Sequence, residues 1–268
     1  MRIIRAGAGR PPLVFVHGFA CDGTDWRAQL DSLAPRTTVI VCDLPGHGPS
    51  PVIPAECTIE AFGAGLANVL AELALPPAIL VGHSMGCRVV LEANRVRPDL
   101  VSGLVLVDGS RIAAGDPAAA RQAMADEIAG DGYPLFVRQF FESMFFPASD
   151  PALAEAIVER ALRLPATVGR ALMTDLAGWD ADRVEGALDG VTVPLLVIQS
   201  TTMDAARERI SLTSDSSSGW VDLVRAHVPQ AVIARLHGSD HFPHIALADE
   251  VTRLIADFAS LEPVSAER

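Results

Sequence analysis

Residues 78–91, Ala-Ile-Leu-Val-Gly-His-Ser-Met-Gly-Cys-Arg-Val-Val-Leu, decide the fold of this chain. The apolar residues at the start of this stretch predict a short buried strand. From residue 89 to residue 96 apolar side chains recur at helical spacing, and Pro98 ends the run. The chain is therefore expected to turn from a strand into a helix at Ser84, between Gly82 and Gly86.

Such a turn is the requirement for an exposed serine nucleophile. Glycine on both sides allows the serine backbone to adopt a strained conformation and lets its neighbours approach closely. The hydroxyl then stands above the sheet at a helix N-terminus, where free N–H groups favour a developing oxyanion. The alternative is a glycine-rich turn in which Ser84 only caps the helix. The position of the G-x-S-x-G pattern between a strand and a helix favours the nucleophile.

Strands and helices alternate on both sides of this turn. Apolar runs predict further buried strands at residues 13–16, 38–42, 104–107, 193–198 and 232–236. Continuous apolar strands with short connections predict an α/β fold with a mostly parallel central sheet flanked by helices. The region between the third and fourth of these runs contains only helical segments. We therefore expect a core domain of residues 1–110 and 191–268, with a helical cap inserted at residues 111–190.

Composition and charge exclude several classes of partner. Lysine and arginine number 21 against 33 acidic residues, which gives a net charge of −12 without a basic cluster. Nucleic acid and anionic membrane surfaces are therefore not expected partners. The N-terminus has no apolar run of signal-peptide length, no stretch is long enough to span a membrane, and the four cysteines show no C-x-x-C spacing. We expect a cytoplasmic protein with reduced thiols and no cofactor, and no oligomeric state is predicted.

Chemically competent side chains fall at the predicted strand ends. In a doubly wound parallel sheet the site lies beyond the carboxyl ends of the strands. Ser84, Asp108 and the histidines His237, His241 and His244 all follow strands. A metal site formed by the three histidines lacks a nearby carboxylate or cysteine at suitable spacing, so no metal site is predicted. His241 is the better general base, because the Gly-Ser-Asp sequence before it forms a loop that turns the imidazole inward.

Four motifs resemble the α/β-hydrolase superfamily, in its order and over nearly the whole chain. They lie at residues 13–19, 43–50, 82–86 and 238–242. The resemblance implies the α/β-hydrolase fold, Ser84 as the nucleophile and His241 as its general base. It also implies that the N–H groups of Phe19 and Met85 form the oxyanion hole. Serine at the elbow excludes relatives that use aspartate there, such as dehalogenases and epoxide hydrolases.

The third member of the triad has two candidates. Superfamily members often place the acid after the strand that here ends at Ile198, where the first carboxylate is Asp204. Four polar residues and a methionine precede Asp204, so it needs an unusual turn to reach His241. Asp108 stands directly at the end of another strand, and some superfamily members place their acid there. We predict that Asp108 is the acid of the triad, with Asp204 as the alternative. If Asp108 is not catalytic, it caps the turn at the entry to the cap.

Aromatic residues crowd one helical segment of the predicted cap. We expect Phe140, Met144 and Phe145 to bind an apolar part of the substrate, although packing of the cap on the sheet also explains them. The predicted activity is hydrolysis of a small hydrophobic carboxylic ester or lactone through an acyl-serine intermediate. One alternative is hydrolysis of a carbon–carbon bond in an acidic ring-cleavage product, for which the sequence shows no obvious cationic pocket beyond Arg88 or Arg111. The other is a hydrophobic-ligand receptor or pseudoenzyme.

Overall fold

One sheet and the helices around it carry the site. The computed structural model describes residues 1–53, 56–204, 208–213, 216 and 218–261, apart from the side chains of residues 130 and 131. Its strands are β1 (Arg2–Ala6), β2 (Leu13–Val16), β3 (Val39–Asp43), β4 (Ala78–His83), β5 (Val101–Val107), β6 (Leu195–Gln199), β7 (Thr201–Met203), β8 (Arg209–Ser211) and β9 (Val232–Arg235). Its helices are α1 (Arg27–Leu33), α2 (Ile59–Glu72), α3 (Met85–Val96), α4 (Pro117–Asp131), α5 (Tyr133–Glu142), α6 (Pro151–Ala161), α7 (Ala166–Asp182), α8 (Val184–Asp189), α9 (Gly219–His227), α10 (Pro243–Ala246) and α11 (Ala248–Phe258).

The large sheet has seven strands in the order β1-β3-β2-β4-β5-β6-β9. Strand β1 pairs antiparallel with β3, and every other neighbouring pair is parallel. This confirms the predicted mostly parallel sheet. Strand β1 itself was not predicted, because two arginines interrupt its apolar residues; it lies at the sheet edge, where half of a strand faces solvent.

Side chains along one strand alternate between two layers of packing. Val14 and Val16 of β2 belong to the core cluster that contains residues of α2, α3 and α9. Leu13 and Phe15 of the same strand belong to the cluster that contains residues of α1 and α11. The central strands are buried on both faces, which is why their sequences are continuously apolar.

Helices α4 to α7 lie between β5 and β6, in the segment that the sequence assigns to the cap. Helix α4 packs along α7, and α5 packs on α6. Helix α8 instead packs against α3 and α9, in the layer of helices on the sheet. We propose that α4 to α7 form the cap, and use "the cap" for these four helices below.

Two elements differ from the sequence-based expectations. Strands β7 and β8 form an antiparallel pair that the sequence did not predict, because both strands are short and largely polar. The last helix is interrupted at Leu247, so α10 and α11 replace the single predicted helix. None of the helices in the described parts of the chain combines the length and apolar character needed to cross a membrane.

Candidate active site

Strand β4 turns directly into helix α3 at Ser84. The serine backbone has φ 52° and ψ −114°, a conformation that side chains other than glycine rarely adopt. A Cβ at Gly82 would overlap the carbonyl oxygen of Gly86, and a Cβ at Gly86 would lie 2.5 Å from the carbonyl oxygen of Val16. Both glycines are therefore required by close backbone approach, as the elbow sequence predicts.

Asp108 and His241 form a short contact beyond the ends of the neighbouring strands. Asp108 follows β5 directly, and its Oδ2 lies 2.6 Å from Nδ1 of His241. Both side chains are buried, at 0% and 1% exposure. Since the carboxylate accepts, Nδ1 carries the proton, and Nε2 remains the nitrogen able to accept one.

The loop before His241 is held by several hydrogen bonds. Oδ2 of Asp240 accepts from the hydroxyl of Ser149 at 2.7 Å, and Oδ1 accepts from the backbone N–H of Phe242 at 2.9 Å. Ser200 Oγ donates to the carbonyl of Asp240 at 2.9 Å. These bonds fix the loop so that His241 lines the same cavity as Ser84.

Asp204 takes a different position. It follows β7, and its Oδ1 accepts from the backbone N–H of Glu208, which precedes β8, at 2.9 Å. The structure therefore brings Asp108 to His241, whereas the Asp204 carboxylate binds the backbone of Glu208.

Burial and charge shift the pKa values of this pair. Burial lowers the pKa of His241 and the nearby Arg209 charge lowers it further, while Asp108 opposes both. Burial alone would raise the pKa of Asp108, but the hydrogen bond and charge of His241, with Arg209 and Thr201, bring it below its usual value. At neutral pH the pair is thus a neutral imidazole beside a carboxylate.

Backbone N–H groups lie beside Ser84. Met85 is the first residue of α3, so its N–H has no acceptor within the helix. Among the described residues, the N–H of Phe19 has no hydrogen-bond partner. Phe19 and Met85 both line the cavity that contains Ser84 and His241. Gly18 approaches closely as well, since a Cβ there would lie 3.3 Å from Cβ of Ser84.

Two cavities meet above the sheet. The catalytic cavity, which Ser84 and His241 line, has a free volume of about 30 Å³, enough for roughly two or three water molecules at about 10–15 Å³ each. The outer cavity has about 750 Å³. Of the predicted substrate-binding residues, Met144 lines the catalytic cavity, Phe145 lines the outer cavity and Phe140 lines both.

The arginines near the site differ in how many hydrogen bonds they already make. Arg88 pairs with Asp180 at 2.6 Å in a buried ion pair and also donates to the carbonyls of Ser84 and Ser110. Arg111 is held by Glu185 at 2.7 Å and by the carbonyl of Ala113. The guanidinium groups of Arg88 and Arg111, the two cations considered from the sequence, are thus already bound by carboxylate and carbonyl groups of the protein.

Arg209 was missed by the sequence analysis. It lies on β8 with a side chain only 8% exposed, and it lines both cavities. Its position depends on the β7 and β8 pair, so nothing in the sequence distinguishes it from a surface arginine.

His83 and His244 pack beside His241, whereas His237 is exposed. Nε2 of His83 donates to the carbonyl of His241 at 2.7 Å, and the His83 ring lies 4.3 Å from the His244 ring. His237 has one long contact, 3.4 Å, to the carbonyl of Leu212. Within the described ranges, no group of three or more His, Cys, Asp or Glu side chains is arranged to hold a metal ion.

Comparisons with known proteins add a family match. A model of the alpha/beta hydrolase family matches residues 13–254. The pimeloyl-[acyl-carrier protein] methyl ester esterase of Methylococcus capsulatus is 37% identical over 100 residues, which are 37% of this chain and 37% of that protein. The curated relatives first found are matched over 29% to 52% of their length, so the chain spans about half of them or less.

Solved structures match over nearly the whole chain. A thermophilic esterase from Thermogutta terrifontis, with malate bound, is 25% identical with a TM-score of 0.78, over 96% of this chain and 92% of that chain. Est816, an N-acyl homoserine lactone degrading enzyme, is 21% identical with a TM-score of 0.80, over 96% of both chains.

Proposed function

Because this chain belongs to the alpha/beta hydrolase family, we propose that it is a serine hydrolase of carboxylic esters or lactones. Ser84 is the nucleophile, His241 the general base and Asp108 the acid. The observation that carries this proposal is the buried contact of 2.6 Å between Asp108 and His241, in the wall of the cavity that Ser84 also lines.

Acylation begins when Ser84 Oγ attacks the ester carbonyl and its proton passes to Nε2 of His241. Asp108 stabilises the imidazolium, and the N–H groups of Phe19 and Met85 bind the tetrahedral oxyanion. The carbon–oxygen bond of the ester then breaks, and the alcohol leaves with the proton from His241. For a lactone the alcohol stays attached to the acyl group.

Deacylation repeats these steps with water. His241 takes a proton from the water molecule as its oxygen attacks the acyl-serine carbonyl. Collapse of the second tetrahedral intermediate breaks the bond to Ser84 Oγ, which recovers the proton from His241. The products are the free acid and the regenerated serine, so the sequence of steps uses no cofactor.

We further propose that the substrate has a sizeable apolar part. Phe140, Met144 and Phe145 line the cavities, and the catalytic cavity is too small to hold more than the reacting group. An outer cavity of about 750 Å³ lies within the usual range of ligand pockets, about 300–1,000 Å³. The esterase and lactone-degrading names of similar proteins support an ester or lactone.

A carbon–carbon bond hydrolase remains the second candidate, because Arg209 places a buried cation in the cavity wall where an acidic product of ring cleavage would lie. A ligand receptor is the less economical interpretation, since a pure binder needs no buried pair of Asp108 and His241 in the wall of the cavity that a serine also lines.

A serine-directed probe tests the proposal. A fluorophosphonate should label the peptide containing Ser84, and Ser84→Ala should lose roughly 10³-fold or more in kcat on 4-nitrophenyl esters. A panel of acetyl, medium-chain and aromatic esters and lactones should show a preference for apolar groups. Labelling of another serine, or an active Ser84→Ala variant, would contradict the proposal, and a preference for sugar acetates would contradict the apolar substrate.

A further inference from the structure

Arg209 stands where the two cavities meet. The catalytic and outer cavities share the side chains of Ser110, Ile112, Phe140, Met173 and Arg209. A substrate that reaches Ser84 and extends into the outer cavity must pass these residues, because the catalytic cavity holds only the reacting group. We call these five residues the neck, and Arg209 is its charged member.

Most donors of the Arg209 guanidinium are unused. Nη1 donates to Thr201 Oγ1 at 2.7 Å and lies 3.7 Å from Oδ2 of Asp108, which is too long for a hydrogen bond. Nε and Nη2 have no hydrogen-bond partner among the residues that the structure describes. A guanidinium has five N–H donors. The unused nitrogens of Arg209 are not among the sealed, unsatisfied polar atoms of the described residues, so they are open to a ligand in the cavities that Arg209 lines.

Asp108 does not neutralise Arg209 through a close ion pair. Its two oxygens already accept from the N–H groups of Ser200 and Thr201, the hydroxyl of Thr201 and Nδ1 of His241. The closest carboxylate is thus committed to the histidine. This distinguishes Arg209 from Arg88, whose carboxylate partner contacts it directly at 2.6 Å.

The acidic residues of the outer cavity only weakly oppose the attraction of an anion to Arg209. Glu127 and Glu208 line that cavity, and both are exposed, so that water and salt screen their charges. Arg209 is buried, where its attraction for an anion is screened much less.

We propose that Arg209 binds a carboxylate of the substrate, so that this enzyme acts on esters or lactones that also carry a free carboxylate beyond the neck. The inference rests on the hydrolase function proposed above and specifies its substrate class. A carboxylate matches the planar guanidinium fork with two parallel hydrogen bonds. One monoanion also suits a single arginine better than a phosphate dianion does, because the Asp108 carboxylate already lies 3.7 Å from Arg209 Nη1 and would repel a second negative charge.

Paired substrates separate charge recognition from hydrolysis. The mono(4-nitrophenyl) esters of adipic, suberic and sebacic acids are compared with 4-nitrophenyl esters of monocarboxylic acids that replace the carboxylate by a methyl group. A second pair, 4-acetoxyphenylacetic acid and 4-ethylphenyl acetate, places the charge on the alcohol side. The native enzyme should prefer the charged member of at least one pair in kcat/KM.

The variant Arg209→Met should remove that preference. The ratio of kcat/KM between charged and neutral members should fall roughly ten- to a hundredfold, the effect of a charge-assisted hydrogen bond. Arg209→Lys should restore part of the ratio, because lysine keeps the charge without the fork. Arg253→Met, an exposed arginine of α11 on the far side of the sheet, is the matched control and should leave the ratio unchanged.

Inhibition provides a measurement on the native protein alone. Hexanoate should inhibit hydrolysis of a neutral ester at a lower concentration than 1-hexanol does, and Arg209→Met should abolish this difference. Equal losses on charged and neutral esters, or no charge preference in the native enzyme, would overturn the carboxylate site. Failure of the hydrolase function itself would look different, because the native enzyme would then cleave neither member and Ser84 would stay unlabelled.

Discussion

The Asp108 carboxylate accepts more hydrogen bonds than an aspartate that only caps a turn needs. Its Oδ1 accepts from the backbone N–H groups of Ser200 and Thr201, both at 2.8 Å. Its Oδ2 accepts from Thr201 Oγ1 and from Nδ1 of His241, both at 2.6 Å. Two backbone donors thus fix the orientation of the carboxylate, and the second oxygen is left to orient the imidazole.

Asp108→Asn should therefore reverse the tautomer of His241. The two backbone donors hold the amide oxygen, so the NH₂ group faces Nδ1 and moves the imidazole proton to Nε2, which then cannot accept from Ser84. We expect a loss of roughly 10⁴-fold in kcat with an unchanged fold. Steady-state kinetics with circular dichroism measures both.

Asp204→Asn is the matched control for this prediction. The amide oxygen keeps the hydrogen bond from the N–H of Glu208, so activity should change little. Near-normal activity in Asp108→Asn, together with a large loss in Asp204→Asn, would transfer the acid role to Asp204.

At the scale of elements, the elbow helix α3 and the cap are joined by a buried ion pair. Arg88 of α3 and Asp180 of α7 contact each other at 2.6 Å, with side chains 2% and 0% exposed. Asp180 also accepts from the N–H of Ile112 at 2.8 Å, and Arg88 donates to the carbonyl of Ser84 at 3.1 Å. The pair thus connects the segment that enters the cap with the turn that carries Ser84.

Removal of one partner should be strongly destabilising. Asp180→Asn leaves the Arg88 charge buried without its counter-ion, and we expect a loss of about 3–5 kcal/mol in the free energy of unfolding. Urea denaturation measures this change. Asp257→Asn breaks the exposed pair with Arg253 on α11 and should have little effect. A loss in Asp180→Asn as small as that control would show that water reaches Arg88.

At the scale of the whole molecule, five histidines are buried in a neutral form. Burial is the largest cause in each case, and it lowers the pKa of His17 to about 3, of His47 to about 4 and of His244 to about 3. The pKa values of His83 and His241 are lowered as well. In the unfolded chain all five bind protons near pH 6.5, whereas the folded state does not.

The protein should therefore lose stability as the pH falls below about 6.5. The unfolded state gains protons first, and each histidine with a folded pKa near 3 costs about 2 kcal/mol at pH 5. Burial raises the pKa of Asp25 to about 6 and also raises the pKa values of Asp43 and Asp175, so these carboxyl groups act in the opposite direction, but they are fewer than the five histidines. Urea denaturation should give a clearly lower free energy of unfolding at pH 5 than at pH 7.5.

His244→Phe tests the cause of this acid sensitivity. The His244 ring packs 4.3 Å from both Trp26 and His83, and neither of its nitrogens has a hydrogen-bond partner among the described residues. An aromatic ring that cannot bind a proton should reduce the difference between pH 7.5 and pH 5 by about 2 kcal/mol. An unchanged difference would assign the acid sensitivity to other groups.

The sequence by itself determined the elements whose signal is local. Apolar runs predicted the parallel strands. The glycines on both sides of Ser84 predicted a tight turn, and the close backbone contacts at Gly82 and Gly86 explain why glycine is needed there. The ends of those strands also gave Ser84, Asp108 and His241 as candidate catalytic residues, with Asp204 as the alternative acid, since parallel strands bring their carboxyl ends to one edge. Strand β1 was missed because an edge strand has no continuous apolar run.

Tertiary structure alone decided which polar side chains meet. Asp108 and Asp204 both follow strands, and only the fixed positions of β5, β6 and the His241 loop show which one reaches the imidazole. No local sequence pattern distinguishes Arg88 from Arg209. In the structure Arg88 is paired with Asp180, whereas Arg209 lines two cavities and has unused hydrogen-bond donors. The hydrogen bond between Arg88 and Asp180 joins residues 92 positions apart, and local sequence patterns contain no information about such a distant partner.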